Sequence, residues 1–274
     1  GISNLGDEDV TLTDTSLTAS VLNALDGNTT GSIDASAVTT LSGTATDLIE
    51  AVTANGITGL GDEAITVDSG TATTAQANDL ADETSGIVTA TIAEGDLATL
   101  AGLTGTGNAY SITIDDASVD AAALNTLDAK TTVAIDAAAV TTLTGLATDL
   151  IEAVTSNGIT GLGDEAITVD SGTATTAQAN ALADETSGIV TATIAEGDLA
   201  TLAALNGTGN AYSITINDAS VDAAALNTLD GKTTVAIDAA AITTLTGAAV
   251  DLNTAFDSGG ISNLSDQDVT LTDT

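Results

Sequence analysis

The sequence predicts an α/β solenoid, in which each right-handed coil contributes one short parallel strand and one helical return. Three observations predict it: a unit of 102 residues recurs almost unchanged, shorter strand-and-helix units recur inside it, and the apolar residues suit a thin aliphatic core. Such units bury a core only by stacking, so we expect about ten coils and one continuous parallel sheet. A doubly wound globular α/β fold is the alternative, and near-identical units at a fixed offset argue against it.

The long repeat can be read directly from the letters. GITGLGDEAITVDSG occurs at Gly56–Gly70 and again at Gly158–Gly172, an offset of 102 residues. We place the four-coil repeats at 10–111 and 112–213, with a partial copy at 214–274. The whole of 1–274 is therefore expected to be a single array.

A longer period joins the two ends of the sequence. The first fifteen residues, GISNLGDEDVTLTDT, return at 260–274 with two changes, Gly6 to Ser265 and Glu8 to Gln267. We interpret 1–259 as a ten-coil super-repeat that restarts at 260. The prediction is an array that continues in a longer parent chain or stacks end to end with other copies.

Short segments of strand type, such as VTL, ITV and ATI, mark the shorter units. Their last apolar residues follow one another at spacings of 21, 34, 25 and 22 residues, a series that then repeats. We expect these anchors to be buried in successive parallel strands. The anchors are Leu12, Ile33, Val67, Ile92, Ile114, Ile135, Val169, Ile194, Ile216, Ile237 and Leu271.

Stretches rich in Ala and Leu follow the strand segments. Apolar residues three apart lie on one face of a helix, so four pairs predict short helices. The pairs are Val38 with Leu41, Leu97 with Leu100, Leu124 with Leu127, and Val140 with Leu143. Thr73 and Thr175 each precede a Gln by three residues, the spacing of a capping box. A second helix in the longest coil is expected at Thr46–Gly56.

Six aspartates come directly after an anchor: Asp34, Asp68, Asp115, Asp136, Asp170 and Asp238. We expect them to cap helices, because a carboxylate there accepts backbone N–H bonds at the positive end of the helix dipole. The alternative is a ladder of stacked carboxylates that binds Ca²⁺, since neighbouring carboxylates repel one another and a divalent ion relieves the repulsion. Ca²⁺ requires six to eight oxygen ligands, and no EF-hand or GGxGxD calcium motif occurs.

Threonine precedes most anchors and is expected to face outwards. The set is Thr11, Thr66, Thr91, Thr113, Thr168, Thr193, Thr215 and Thr270, with Ser32, Ala134 and Ala236 at the other positions. A β-branched residue suits a pleated surface. The alternative, a flat threonine rank that binds ice, needs a second regular rank, and the column two residues earlier mixes Thr, Ser, Ala and Asp.

Two lysines and two tyrosines recur with the array. Lys130 and Lys232 are expected in solvated turns, where they offset the charge of nearby aspartates. Tyr110 and Tyr212 are expected to cover a groove between strand and helix, with stacking on a ligand as the alternative.

The residue types argue against an enzyme. The chain has no His, Cys or Arg, so it lacks the usual base, thiolate and oxyanion clamp, and no G-x-G-x-x-G or P-loop motif is present. A pair of carboxylates can hydrolyse a glycosidic bond, but that reaction needs a distinct cleft, whereas every carboxylate candidate here recurs with the array. We expect no catalytic site and no cofactor, with Ca²⁺ as the alternative already named.

Net charge restricts the partners. The chain carries 39 carboxylates against two basic side chains, a formal charge of −37, and yet 43% of its residues are hydrophobic. It should therefore fold rather than remain disordered. So dense a negative charge holds counterions and repels nucleic acid and anionic membrane surfaces. No segment has the apolar length of a membrane span, so we expect no membrane insertion.

Tandem units with ITVD and AIDAAAVTTL segments resemble the arrays of very large extracellular cell-surface proteins of marine cyanobacteria, or of their viruses. The resemblance implies an extracellular structural, adhesive or motility-related role and transfers no active site. The leading hypothesis is a structural spacer or filament segment of such an acidic repeat protein. The alternative is an adhesive module, dependent on divalent cations, that binds a glycan, a mineral or ice through the Asp and Thr columns.

Overall fold

Short strands and short helices alternate along the chain. The computed structural model describes residues 6–272, and over that range it contains twenty strands and ten helices. The strands are β1 (Val10–Thr11), β2 (Ser16–Thr18), β3 (Ile33–Asp34), β4 (Thr40–Gly43), β5 (Ile57–Thr58), β6 (Ala64–Val67), β7 (Val88–Thr91), β8 (Ala109–Ser111), β9 (Ser118–Asp120), β10 (Ile135–Asp136), β11 (Thr142–Leu146), β12 (Ile159–Thr160), β13 (Ala166–Ser171), β14 (Val190–Thr193), β15 (Ala211–Ser213), β16 (Ser220–Asp222), β17 (Ile237–Asp238), β18 (Thr244–Gly247), β19 (Ile261–Ser262) and β20 (Asp268–Leu271).

The helices are between four and ten residues long. None of those described has the length and apolarity needed to cross a membrane. They are α1 (Ala19–Asp26), α2 (Ala45–Thr53), α3 (Thr74–Glu83), α4 (Leu97–Leu100), α5 (Ala121–Asp128), α6 (Ala147–Thr155), α7 (Thr176–Glu185), α8 (Leu199–Leu202), α9 (Ala223–Asp230) and α10 (Ala249–Asp257).

The described residues fall into two compact units. The first runs to Asp116 and includes Thr126–Ala139 and Asn157–Thr160. The second comprises Ala117–Asn125, Val140–Ser156 and the chain from Gly161 onwards.

Each unit contains three parallel sheets of the same sizes. In the first unit the strand orders are β2-β4-β6-β7-β8, β1-β3-β5 and β10-β12. In the second unit they are β9-β11-β13-β14-β15, β16-β18-β20 and β17-β19. The expected α/β class with parallel strands is confirmed. The strands are divided among six sheets, so the single continuous sheet is not confirmed.

The pairing of the strands differs from the predicted spacing. Ile33 pairs with Ile57, 24 residues later, and not with Val67. Val67 pairs instead with Gly43, in a different sheet. The coil expected to span 34 residues therefore contains two further strands, β4 and β5. The two residues of β5 are too few to show the alternation by which strands were recognised.

Most of the predicted anchors are buried. Nine of the eleven are at most 8% exposed, including Ile114 and Ile216 at 0%, which confirms their place in the core. The other two differ, because Leu12 is half-buried and Leu271 is 62% exposed. The core of the second unit is completed by a ladder of paired strand residues, Leu143, Ile167 and Val190, each fully buried.

The helix predictions are partly confirmed. Leu97 with Leu100 and Leu124 with Leu127 lie in α4 and α5, and the second helix of the longest coil is α2. The pairs Val38 with Leu41 and Val140 with Leu143 were wrongly predicted to be helical. In each pair the first residue directly follows a turn and the second lies in a strand, β4 or β11. A spacing of three also occurs where a residue after a turn and a strand residue face the same core.

Two helices begin with the predicted capping boxes. The Thr73 hydroxyl accepts a bond from the Gln76 amide, and the Gln76 side chain accepts one from the Thr73 amide. Thr175 and Gln178 repeat the arrangement at the start of α7. Each box satisfies two backbone donors that have no partner within the helix.

Candidate functional site

The six aspartates after the anchors do not cap helices in the described chain. Instead, Asp34 folds back within its own turn, where its Oδ1 accepts a bond of 3.0 Å from the Ser36 amide. Asp136 and Asp238 do the same with the amides of Ala138 and Ala240. Hydrogen bonds from Ser36 lower the pKa of Asp34. The helix-cap prediction was wrong because the chain enters a turn, not a helix, after these strands.

The aspartates also do not stack on one another as a ladder requires. Asp34 pairs with Thr11 on one side and Thr58 on the other. Asp136 likewise lies between Thr113 and Thr160. Asp238 lies between Thr215 and Ser262. The remaining three, Asp68, Asp115 and Asp170, are exposed. Within residues 6–272, no group of three or more carboxylates is arranged to hold a metal ion.

Other aspartates provide the caps. Asp96 and Asp198 accept bonds of 2.9 Å from the amides of Thr99 and Thr201 at the starts of α4 and α8. These hydrogen bonds hold the pKa of both carboxyls below its ordinary value. Asp222 caps α9 in the same way.

The threonines before the anchors face away from the core, as predicted. Six of them are exposed, and Thr66 and Thr168 are half-buried. However, Thr66 pairs with Ser42 and Thr89, so its ladder neighbours are not the other threonines of the predicted column. The regular rank needed to bind ice is not formed along this ladder.

The recurring tyrosines lie between strand and helix, which confirms that prediction. Tyr110 is fully buried, and its hydroxyl donates to the Ala77 carbonyl of α3 at 3.3 Å. Tyr212 makes the equivalent bond to Ala179 in α7. Burial raises the pKa of both tyrosines to about 12. Full burial leaves neither ring face open for stacking on a ligand.

The recurring lysines lie in the turns after α5 and α9. The amides of Lys130 and Lys232 donate to the carbonyls of Leu127 and Leu229, and both side chains are half-buried.

A repeated contact, here called the threonine clasp, joins each of several coils to the one before it. In the second unit the Thr186 hydroxyl donates to the Glu165 carbonyl at 2.7 Å, and the Ser187 amide donates to the Gly163 carbonyl at 2.8 Å. The Thr186 hydroxyl also accepts from the Gly188 amide. The same geometry begins at Thr29, Thr84, Thr131 and Thr233.

Close packing requires the glycine that ends three of the five clasps, whereas a valine holds that place in the other two. A Cβ at Gly188 would collide with the Glu165 backbone carbonyl, and the same holds at Gly86 against Glu63. The backbones of two coils touch at this point, so no other residue fits without movement.

A second repeated contact, here called the asparagine staple, joins the helices. Each asparagine lies in a helix, five residues after the N-cap position. Its Nδ2 donates a hydrogen bond of 2.8–2.9 Å to a backbone carbonyl in the next helix or just after it. The five are Asn23, Asn78, Asn125, Asn180 and Asn227. The side chain of Asn253 holds this position in α10 and is exposed.

Two glutamates are buried where the coils meet. Glu63 and Glu165 are both 0% exposed, and the Oε2 of each accepts a bond of 2.6 Å from the amide of Gly61 or Gly163. The Oε1 of each is buried without a hydrogen-bond partner.

The edge beyond β20 exposes residues of core type. Val269 and Leu271 are 49% and 62% exposed, whereas their equivalents 102 residues earlier, Ile167 and Val169, are 0% and 8% exposed. β20 pairs only with β18, whereas β13 pairs with a strand on each side.

The clasps, the staples and the buried glutamates were not recognised from the sequence. A signal existed for two of them, since the asparagines of the staple and the threonines of the clasp both recur at offsets of 102 residues. The chain matches no protein-family model, no curated protein and no solved structure.

Proposed function

We propose that this chain is a structural segment of an acidic repeat array, and that its role is to extend and stabilise a stack of coils. The observation that carries the proposal is the repetition of the threonine clasp and the asparagine staple from coil to coil. These contacts use recurring side chains and backbone groups to join the coils.

The exposed edge of β20 supports continuation of the array. Ser265 and Gln267 stand where Gly163 and Glu165 stand one repeat earlier, and the carbonyls of that earlier pair accept the clasp of Thr186 and Ser187. Together with the exposed Leu271, they form a surface that fits one more clasp and one more strand.

The occupant that we propose for this edge is a further coil with the sequence of residues 16–34. The near identity of 1–15 and 260–274 supports it, because Thr29–Gly31 clasps the carbonyls of Gly6 and Glu8, the counterparts of Ser265 and Gln267. An array extended in this way is the continuous right-handed solenoid expected from the repeats. Without that coil, a second copy can pair with the open strand, and such a heterologous contact builds open filaments.

The setting that we propose is extracellular, at a cell surface. The support is the resemblance of the repeats to surface arrays and the charge of −37, which screening by a saline medium would relieve. Counterions, and not nucleic acid or membrane, are the partners that such a charge favours. The adhesive alternative that depends on cations gains no support from the six aspartates, whose ladder neighbours are threonines at Asp34 and Asp136.

An extended chain tests the proposal. Residues 16–116 would be added after Thr274, so that the restarted repeat runs on. We expect a single unfolding transition with a higher melting temperature than the original chain, and protection of the Leu271 amide from hydrogen exchange. The matched control carries Gly31→Val in the added segment only. A Cβ at Gly31 collides with the Glu8 carbonyl, so this change should block the clasp and abolish both effects.

Two results would contradict the spacer proposal. The first is an added segment that unfolds independently and leaves the Leu271 amide unprotected. The second is a saturable, selective heat of binding on calorimetric titration of the original chain with Ca²⁺ and Mg²⁺ at constant ionic strength, which would favour the adhesive alternative.

A further inference from the structure

Two equivalent turns carry an asparagine followed by a glycine. Asn55 and Gly56 form the turn between α2 and β5, and Asn157 and Gly158 stand 102 residues later. Both asparagines are exposed. Glycine has no side chain to keep its backbone nitrogen away from the side chain of the residue before it. An asparagine before a glycine is therefore the pair best suited to ring closure between side chain and main chain.

The third copy of the turn shows how this glycine can be held. The Ser258 hydroxyl accepts a bond of 3.0 Å from the Gly260 amide and donates one of 2.6 Å to Oδ2 of Asp230. Gly259 stands in place of the asparagine, so this copy has no side chain to react. Its geometry shows that a serine two residues before the glycine restrains the backbone amide that would attack.

The two asparagine turns differ at the place of this serine. Ser156 holds it in the second copy, and Ala54 holds it in the first. Alanine has no hydroxyl, and within residues 6–272 the Gly56 amide has no hydrogen-bond acceptor. The Asp26 carboxylate lies against Gly56 on the side where a Cβ would stand. The first copy therefore has the neighbouring carboxylate and lacks the hydroxyl that would join it to the glycine amide.

We propose that Asn55 is a site of spontaneous modification, at which the side-chain amide is converted to a carboxylate faster than at Asn157. The Gly56 nitrogen bonds to Cγ of Asn55, the Cγ–Nδ2 bond breaks, and ammonia leaves with the proton of the Gly56 amide. Water then opens the resulting five-membered imide at one of its two carbonyls. The products are aspartate, or isoaspartate in which the main chain runs through Cγ. The reaction needs only this turn and water, so it does not depend on the spacer role.

Another asparagine–glycine pair, Asn206 with Gly207, is restrained by its neighbours. The Asn206 backbone amide donates to Oδ1 of Asn180 at 2.9 Å, and its side-chain Nδ2 donates to Oδ1 of Asp184 at 3.0 Å. The side chain must give up the bond to Asp184 before its Cγ can meet the Gly207 nitrogen, which costs free energy. We therefore expect Asn55 to react before Asn206 as well.

The modification should weaken the coil that contains it. Isoaspartate adds one carbon atom to the main chain shortly before β5, where Ile57 pairs with Ile33. Either product also adds a negative charge next to the glycine that Asp26 touches, in a chain whose formal charge is already −37. Because water does not restore the amide, the change accumulates with time and records the age of the array.

Mass spectrometry after incubation of the natural chain at pH 8 measures both sites. Cleavage after glutamate releases the peptides 51–63 and 153–165, which differ only at the alanine or serine and can be followed separately. In the folded chain we expect Asn55 to react at least about threefold faster than Asn157, the size of effect that one hydrogen bond produces. The matched variant exchanges the two residues, Ala54→Ser with Ser156→Ala, and should reverse the order.

Urea separates the effect of the fold from that of the neighbouring residue. In the unfolded chain the two sites should react at similar rates, because the bond to the serine is lost. Equal rates in the folded chain, a difference that persists in urea, or an exchanged variant that keeps the natural order would each overturn the proposal.

The melting temperature gives a second readout. Asn55→Gln would have to close a larger ring, so after the same incubation its melting temperature should fall less than that of the natural chain. An equal fall in both chains would show that modification of Asn55 does not weaken the coil.

Discussion

Strands β13 and β20 are equivalent by sequence and stand in contrast in the structure. Both place apolar residues at the same two positions, yet Ile167 is 0% exposed and Val269 is 49% exposed. Both strands also pair with an earlier neighbour, β11 or β18, through similar registers. The difference is the following coil, which clasps and covers β13. Burial in this fold therefore comes from the next coil along the chain as much as from the strand's own residues.

The largest expected effect compares a charge at the two strands. Ile167→Asp places an unpaired carboxylate in the core, and we expect it to lower the free energy of unfolding by about 4 kcal/mol or more. Val269→Asp places the same group in water and should change it by less than about 1 kcal/mol. Urea unfolding followed by circular dichroism measures both. Similar losses at the two positions would show that the β20 edge is covered in solution.

The clasp over β13 gives the second comparison. Gly188→Ala forces a Cβ against the Glu165 carbonyl, and we expect a loss of about 2 kcal/mol from the displaced backbone. Gly259→Ala is the matched control, because a Cβ there meets nothing within 4 Å, and it should cost no more than about 0.5 kcal/mol. Equal stabilities in urea would mean that the two coils do not touch at Gly188.

The asparagine staple distinguishes a covered helix from an exposed one. Asn227 in α9 donates to the Asp251 carbonyl of α10, so Asn227→Ala should cost about 1 kcal/mol. Asn253 holds the same helix position in α10 and is exposed, so Asn253→Ala should fall within about 0.5 kcal/mol of the natural chain. Thermal melts of the two variants provide the measurement. In the extended chain, a loss of stability on Asn253→Ala would indicate that the Asn253 side chain donates a hydrogen bond to a further helix.

The sequence was sufficient for the class of fold and for most of the core. Alternation and repetition identified nine buried anchors, because those signals come from the residues' own polarity. Alternation and repetition could not predict that Ile33 pairs with Ile57, since β5 is only two residues long. Glu63 looks like a surface residue within GDEA, and its burial depends on backbone from other coils. The amino-acid sequence gives little indication of contacts that are made by backbone carbonyls.

The smallest expected effect concerns a cap in the coil that covers β13. Asp198 caps α8, and its hydrogen bonds from Thr201 lower its pKa from the ordinary 3.8. A carboxyl whose pKa is lowered by folding stabilises the folded chain at pH values above the pKa that it has in the unfolded chain. That stability is lost as the pH falls through the lowered pKa. Asp198→Ala should therefore melt slightly below the natural chain at pH 7, and the two melting temperatures should converge in acid. Asp170→Ala, at an exposed site that caps no helix, is the control. A gap at Asp198 that stays constant down to pH 2 would show that the ionised carboxylate is not the group that stabilises the helix.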